Sequence, residues 1–269
     1  MSSSRSVRLN QNTNLLKLFA IFFMLVDHIA AAGLVDHSAT FVLLGMTINL
    51  YNFMRIVGRL AFPIFAYCIA VGAIYTRNMP RYLGRILLLG LISQPIYVLA
   101  LNHAPDASSL DFANQTVLAA LQWFGLSFRY CNIMFELALG LLVIWSLQER
   151  KYVVTGFLTL LAWRLNPFLS TSYGVNGVAL MVIFWALVDK PLTSLVWVLG
   201  FMLWWAPPSI TLPINGQRFS FSANSQFWMV LSLPLIYIRM GRNMRLNKWV
   251  FYLFYPLHLA AIYLIELTR

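Results

Sequence analysis

Few residues of this chain could do acid–base or ionic chemistry, and those few interrupt stretches that are otherwise apolar. Asp27 and His28 stand in LLKLFAIFFMLVDHIAAAGL, and Arg55 and Arg59 lead into the apolar stretch that follows. Glu136 lies in NIMFELALG, Arg164 in a later apolar stretch, and His258 in FYLFYPLHLAAIYLIE. An ionisable side chain at the centre of a bilayer costs about 2.5–3.5 kcal/mol on insertion scales, so each needs a partner or a task. Histidine suits proton transfer near neutral pH because its ordinary pKa is about 6.5. A neutral His28 in a partly dry cavity could take the proton of an amine or hydroxyl. Neighbours at i and i+1 on a helix point about 100° apart, so Asp27 and His28 must each look to another helix. Arg59 or Arg55 is the natural counter-ion for Asp27, and His258 or a ligand the natural company of His28. The blander alternative is that Asp27, Arg59 and Glu136 are an ionic network holding helices in register, with His258 a packed, hydrogen-bonded residue. His37 and His103 fall in loops, where ordinary solvated histidines are expected.

The elements that must position these residues follow from composition. Of 269 residues 60% are hydrophobic, 15% aromatic and 10% charged, with mean hydropathy +0.73. A single aqueous core could not bury so much apolar surface, which excludes a soluble globular enzyme and a disordered or disulfide-stapled chain. Crossing a hydrocarbon core takes about 20 residues of helix. Nine candidate spans run near 13–34, 60–76, 82–101, 131–148, 152–168, 173–188, 192–208, 223–238 and 248–267. The expected fold is all-α: a polytopic integral membrane bundle of about nine transmembrane helices plus a re-entrant or interfacial helix. Thr40 to Arg59 is the candidate re-entrant helix and Gln115 to Phe128 the interfacial one. Residues 1–12 are expected as a cytoplasmic tail and 13–269 as one membrane domain. The first span is not expected to be a cleaved signal, because Asp27 and His28 interrupt it.

The net charge of +11 would suggest nucleic acid in a soluble protein, but short cytoplasmic loops of membrane proteins retain Lys and Arg. No nucleic-acid partner is expected. Placing the N-terminus in the cytoplasm collects most of the 19 Lys and Arg on that side, including Arg77, Arg81, Arg85, Arg242 and Arg245, and leaves the C-terminus outside. TRNMPRYLGR and RMGRNMRLNK either enforce that orientation or clamp the phosphates of a nucleotide-bearing cofactor; the two roles are compatible. No HExxH or HxxxH spacing, GxSxG elbow or GxxxxGK[ST] loop occurs, and Cys68 and Cys131 have no CxxC spacing, so no metal site is expected.

MLVDHI, GRLAFPIFAY, TRNMPRYLGR, NIMFELALG, YGVNGV and FYLFYPLHL occur in that order between about residues 13 and 265. Together they resemble the TraX family, named for the conjugation protein that acetylates the amino terminus of F-type pilin, and are similar to a wider group of transmembrane acyltransferases. The resemblance implies an inner-membrane acetyltransferase that takes its acetyl group from cytosolic acetyl-CoA. The acceptor would be an amine or hydroxyl in the membrane or on its far side, such as a pilin amino terminus, an amino sugar or a glycan. It implies that His28 is the acid/base residue, with Asp27 beside it and Arg59 and His258 the other matched polar positions. The expected site is then His28, Asp27 and His258 for catalysis, near mid-membrane and with Asp27 paired to Arg59. Arg55, Arg59, Arg77, Arg81, Arg242 and Arg245 would hold the cofactor. Expected partners are acetyl-CoA, an acceptor protein or glycan, and membrane lipids. Competing readings are a proton-coupled transporter or lipid flippase using Asp27, His28, Glu136 and His258, and an envelope scaffold whose charges only specify packing.

Overall fold

A computed structural model describes residues 13–43, 45–108, 110–165, 173–211, 220–222, 225–238 and 246–269. In a bilayer every backbone N–H and C=O must be satisfied within the protein, and helices do this segment by segment. The described chain is accordingly helical, as an all-α membrane bundle should be. Its helices are α1 (Thr13–Ala31), α2 (Leu50–Arg59), α3 (Ala61–Tyr75), α4 (Met79–Ala100), α5 (Thr116–Ser127), α6 (Ile133–Gln148), α7 (Tyr152–Leu165), α8 (Gly174–Ala186), α9 (Pro191–Trp205), α10 (Leu233–Tyr237) and α11 (Lys248–Leu267). A 3₁₀ helix, Ser225–Ser232, runs into α10. Among the described residues four helical stretches are long and apolar enough to cross a membrane: α1, Leu50–Tyr75, α4 and Trp249–Leu267. The remaining apolar helices have 10–17 residues. Val153 on α7, Leu192 on α9 and Val117 on α5 are 88%, 80% and 75% exposed, a pattern that lipid tolerates and water penalises.

Three local departures from the expected spans have identifiable causes. Thr40 to Arg59 is not helical throughout: Thr40–Leu43 (β1) and Met46–Asn49 (β2) pair antiparallel with Thr40 opposite Asn49, and Gly45 takes φ +79° at the turn. The apolar letters there resemble a helical span, but β-branched residues and a turn glycine favour a hairpin. Asn49 then starts α2, its side chain accepting from the Asn52 N–H while its amide donates to the His37 carbonyl. In the eighth expected span, Pro234 has no N–H to give to Val230, so a continuous α-helix would lose a bond; the chain is 3₁₀ before it and α after it. Third, α1 stops at Ala31. Gly33, at φ +75°, closes a Schellman turn in which the Leu34 N–H reaches the Ile29 carbonyl and the Gly33 N–H that of Ala30.

Contacts group the chain into two units, Met1–Ile74 with Ile183–Leu246, and Tyr75–Val182 with Asn247–Arg269. In the first, α1 buries Leu16, Ala20 and Met24, a stripe at i, i+4, i+8, and packs against α2. The 3₁₀ helix packs on α2 and α9, and the Tyr67 ring meets Phe184 edge-on at 5.6 Å.

In the second unit α4 packs against α6 and α11. Pro95 removes an N–H from the middle of α4, and beside it lies a network of two fully buried amides. The Gln94 amide donates to the Ser127 and Tyr130 carbonyls at 2.8 and 2.9 Å. That of Asn132 donates to the Gly90 carbonyl and to Gln94 Oε1, both at 2.8 Å. Gln94 Oε1 also accepts from the Asn132 N–H, and Asn132 Oδ1 caps α6 by accepting from Met134. Every donor and acceptor of both side chains is used, which makes the network a rigid join. Asn132→Ala removes the cap and strips partners from Gln94 and Gly90, so it should cost about 2–4 kcal/mol in detergent-solubilised protein. A loss under about 0.5 kcal/mol in thermal unfolding would show that the network does not hold α4 to α6.

Candidate functional site

The site in the first unit is built by one face of α2 pressed on the end of α1. Arg55, Gly58 and Arg59 stand at i, i+3 and i+4, so they share that face. Arg55 Nη1 donates to Asp27 Oδ2 at 2.8 Å, the one ion pair found among the described residues. Both side chains are mostly covered, Arg55 at 24% and Asp27 at 17% exposure. Gly58 makes the approach feasible, because a Cβ there would overlap the Asp27 side chain. Asp27 Oδ1 is buried and accepts no hydrogen bond among the described residues. Of the two arginines expected as counter-ions, the one in contact is thus Arg55, one turn earlier than Arg59.

His28 is half-buried in the last turn of α1, three residues before the helix ends. The apolar sequence runs on past it, which suggested a mid-span position, but the Gly33 turn ends the helix first. The carboxylate of Asp27 turns to Arg55, in keeping with neighbours on a helix facing apart.

His258 belongs to the second unit and is 6% exposed. Its Nδ1 lies 2.8 Å from the Phe254 carbonyl, which can only accept, so Nδ1 carries the proton. The ring stacks on Phe254 at 4.8 Å and 10°. This hydrogen bond and the ring contacts with Phe254 and Tyr255 lie within its own helix. Glu136, in the first turn of α6, is 3% exposed; Oε2 accepts from the Tyr173 N–H at 3.2 Å, and Oε1 has no hydrogen-bond partner among the described residues. Two sequence motifs, NIMFELALG and YGVNGV, meet in that bond.

Arg164 is not a buried charge: it is exposed in the last turn of α7, its guanidinium 5.0 Å from the Trp163 ring. Arg77 and Arg81 are exposed where α3 passes to α4, with Asn78 capping the helix by accepting from the Arg81 N–H. Arg85, one turn further on, is exposed on the same face; it belongs to the basic segment TRNMPRYLGR but is not among the residues named individually for the cofactor. Arg242 and Arg245 lie outside the described residues. Of the loop histidines, His37 lies against the Tyr51 ring, tilted by 37° at 4.2 Å, and His103 stacks on Tyr130 at 4.6 Å. Partial burial pulls the His103 pKa below its ordinary value, which favours the neutral imidazole.

These features define a class: a polytopic helical membrane protein with an ion-paired carboxylate beside a histidine at the end of its first helix. The chain belongs to the TraX family, whose family model, described as TraX protein, matches residues 12–266. It is similar to a protein of Dichelobacter nodosus described as "Probable fimbrial assembly protein FimC, serogroup H1", 26% identical over 257 residues and covering 92% of each chain. No solved structure matches it.

Because Asp27 Cβ sits at the root of its side chain, it cannot swing away from a new methyl. Gly58→Ala should therefore cost about 1–3 kcal/mol. At Gly140 a Cβ would overlap only the flexible end of Met181, so Gly140→Ala should change stability by less than about 1 kcal/mol. Equal melting temperatures for the two variants would refute the role given to Gly58. Arg55→Gln strands the Asp27 carboxylate and should cost about 2 kcal/mol, less than the ~3–5 of a fully buried pair. Adding Asp27→Asn should recover part of that loss; strict additivity of the two changes would show that the pair does not interact.

Proposed function

We propose that this protein is a membrane-embedded acetyltransferase that moves an acetyl group from cytosolic acetyl-CoA to an amine or hydroxyl acceptor, with His28 as the proton acceptor. The observation that carries the reading is the anchored end of α1: Arg55 and Gly58 fix Asp27, and so fix the next residue, His28. Family membership and a relative described as a fimbrial assembly protein support an acceptor in the envelope, such as a pilin-like amino terminus.

With the N-terminus in the cytoplasm of a bacterial inner membrane, His28 lies 15 residues beyond Thr13, roughly 22 Å along α1. That is about three-quarters of the way across a hydrocarbon core of roughly 30 Å, on the acceptor's side of centre. The exposed Arg77 and Arg81 fit the phosphates of the donor, since guanidinium forks bind phosphate and neither side chain is engaged in an ion pair among the described residues. In the transfer, the acceptor nitrogen or oxygen attacks the thioester carbon, the C–N or C–O bond forms and the C–S bond breaks. His28 takes the proton of the nucleophile and returns it to the departing thiolate. Asp27 acts through position, since its carboxylate is held by Arg55. His258, already donating from Nδ1 to its own helix, is assigned no proton transfer.

The test compares detergent-purified wild type with His28→Ala for thermal stabilisation by acetyl-CoA and for acetyl transfer to an amine or to water. Stabilisation should be saturable and weaker with dephospho-CoA. His28→Ala should keep the stabilisation and lose about 10²–10⁴ in turnover. Turnover within a few-fold of wild type would remove His28 from the chemistry. If acetyl-CoA stabilises neither folded protein, the donor assignment fails and proton-coupled transport, with Glu136 as the buried carboxyl, becomes the reading to pursue.

A further inference from the structure

The first halves of α4 and α11 enclose a groove of about 260 Å³ within the second unit. Arg85, Leu88 and Ile92 line it from α4, and Trp249, Tyr252 and Leu253 from α11. On each helix the lining residues recur at i, i+3, i+4 and i+7, so the groove is a seam about 10 Å long where two helical faces diverge. It opens outward: Leu88, Ile92, Trp249 and Leu253 are each more than half exposed.

Its polarity is one-sided. Arg85 is the one charged group of the lining, stands at the α4 start of the seam, and makes no ion pair among the described residues; its guanidinium lies 5.9 Å from the Tyr82 ring. Arg81 and Arg77 extend the positive charge away from the groove along the chain. From Leu88 onward the walls are hydrocarbon and aromatic.

The geometry points to a binding site for an anionic diacyl phospholipid, its phosphate on Arg85 and one acyl chain in the seam. Charge complementarity selects the headgroup, since a phosphodiester meets a fork-shaped cation with no competing carboxylate. Chain chemistry selects the tail. The pantetheine arm of a coenzyme would bring several amides and a hydroxyl against walls whose polar groups beyond Arg85 are the Trp249 indole and the Tyr252 hydroxyl, whereas an acyl chain needs no partner. A cavity of about 260 Å³ has room for part of an acyl chain and none for a further transmembrane helix, about 10–12 Å across with its side chains. Trp249 and Tyr252 are residue types that favour the level of lipid headgroups. This site is independent of the acetyl-transfer reading.

The probe is phosphatidylglycerol added to delipidated protein in detergent and followed by native mass spectrometry, with phosphatidylcholine of the same chains as the reference. Wild type should bind phosphatidylglycerol saturably and at least 10-fold more tightly than phosphatidylcholine. Arg85→Gln should remove that preference, and Leu88→Trp, which fills an outward-facing part of the seam, should weaken both lipids. Arg164→Gln, an exposed cation on α7, should bind as wild type does. Equal affinity for the two lipids, or an Arg85→Gln protein with its preference intact, overturns the proposal. So does competition in which acetyl-CoA displaces phosphatidylglycerol stoichiometrically, because the groove would then belong to the donor. Loss of acetyl transfer with lipid binding intact would count against the proposed function alone.

Discussion

The meeting of Asp27 with Arg55 is the contact on which the first unit turns, and it exists because residue 58 has no side chain. Either charge alone in an apolar bundle would be costly, and a pair is tolerable only at hydrogen-bonding distance. Reaching that distance requires the backbone of α2 to come against the root of Asp27. A glycine placed at i+3 from the arginine supplies the room, and the helix period does the rest. The position of His28 is a consequence: it is one residue from a locked side chain and three from a Schellman turn that ends the helix.

The second unit solves the same problem of polar groups in an apolar solvent without charge. Gln94 and Asn132 satisfy each other and three carbonyls, so the join of α4 to α6 is neutral and complete. Glu136 is the exception, a buried carboxyl with one oxygen held by the Tyr173 N–H and the other without a hydrogen bond among the described residues. A side chain so placed contributes little to packing that a glutamine would not, which is why it, rather than the amide network, is where ligand or proton chemistry in this unit would be sought.

Much of this was legible in the sequence, for reasons tied to lipid. Apolar length alone locates α1, α3, α4, α6 and α11, because in a bilayer an apolar run of sufficient length has little choice but helix. Asp27 and the arginines of α2 were legible as partners since a charge in such a run needs one. The choice between Arg55 and Arg59 was not, because both lie on one helical face and spacing alone does not separate them. The β1–β2 hairpin was hidden because TFVL is as apolar as the helices around it and MTIN runs straight into α2. The end of α1 at Ala31 was hidden because the apolar letters continue past the glycine that closes it. Gln94 carried no signal, since an amide whose partners lie up to 38 positions away in the chain is recognisable only once folded.

The basic segment from Arg77 to Arg85 shows why positive charge near a membrane resists a single explanation. Orientation needs only the count of cations on one side. It does not require that Asn78 cap α4 so that Arg81 and Arg85 share a face, nor that Arg85 stand at the head of a seam with hydrocarbon walls. Those are properties of placement, and they divide the segment. Arg77 and Arg81 are exposed and do not line the seam, whereas Arg85 does. One run of arginines can in this way serve topology, a water-soluble donor and the surrounding lipid together, because each use draws on a different feature of the same helix start.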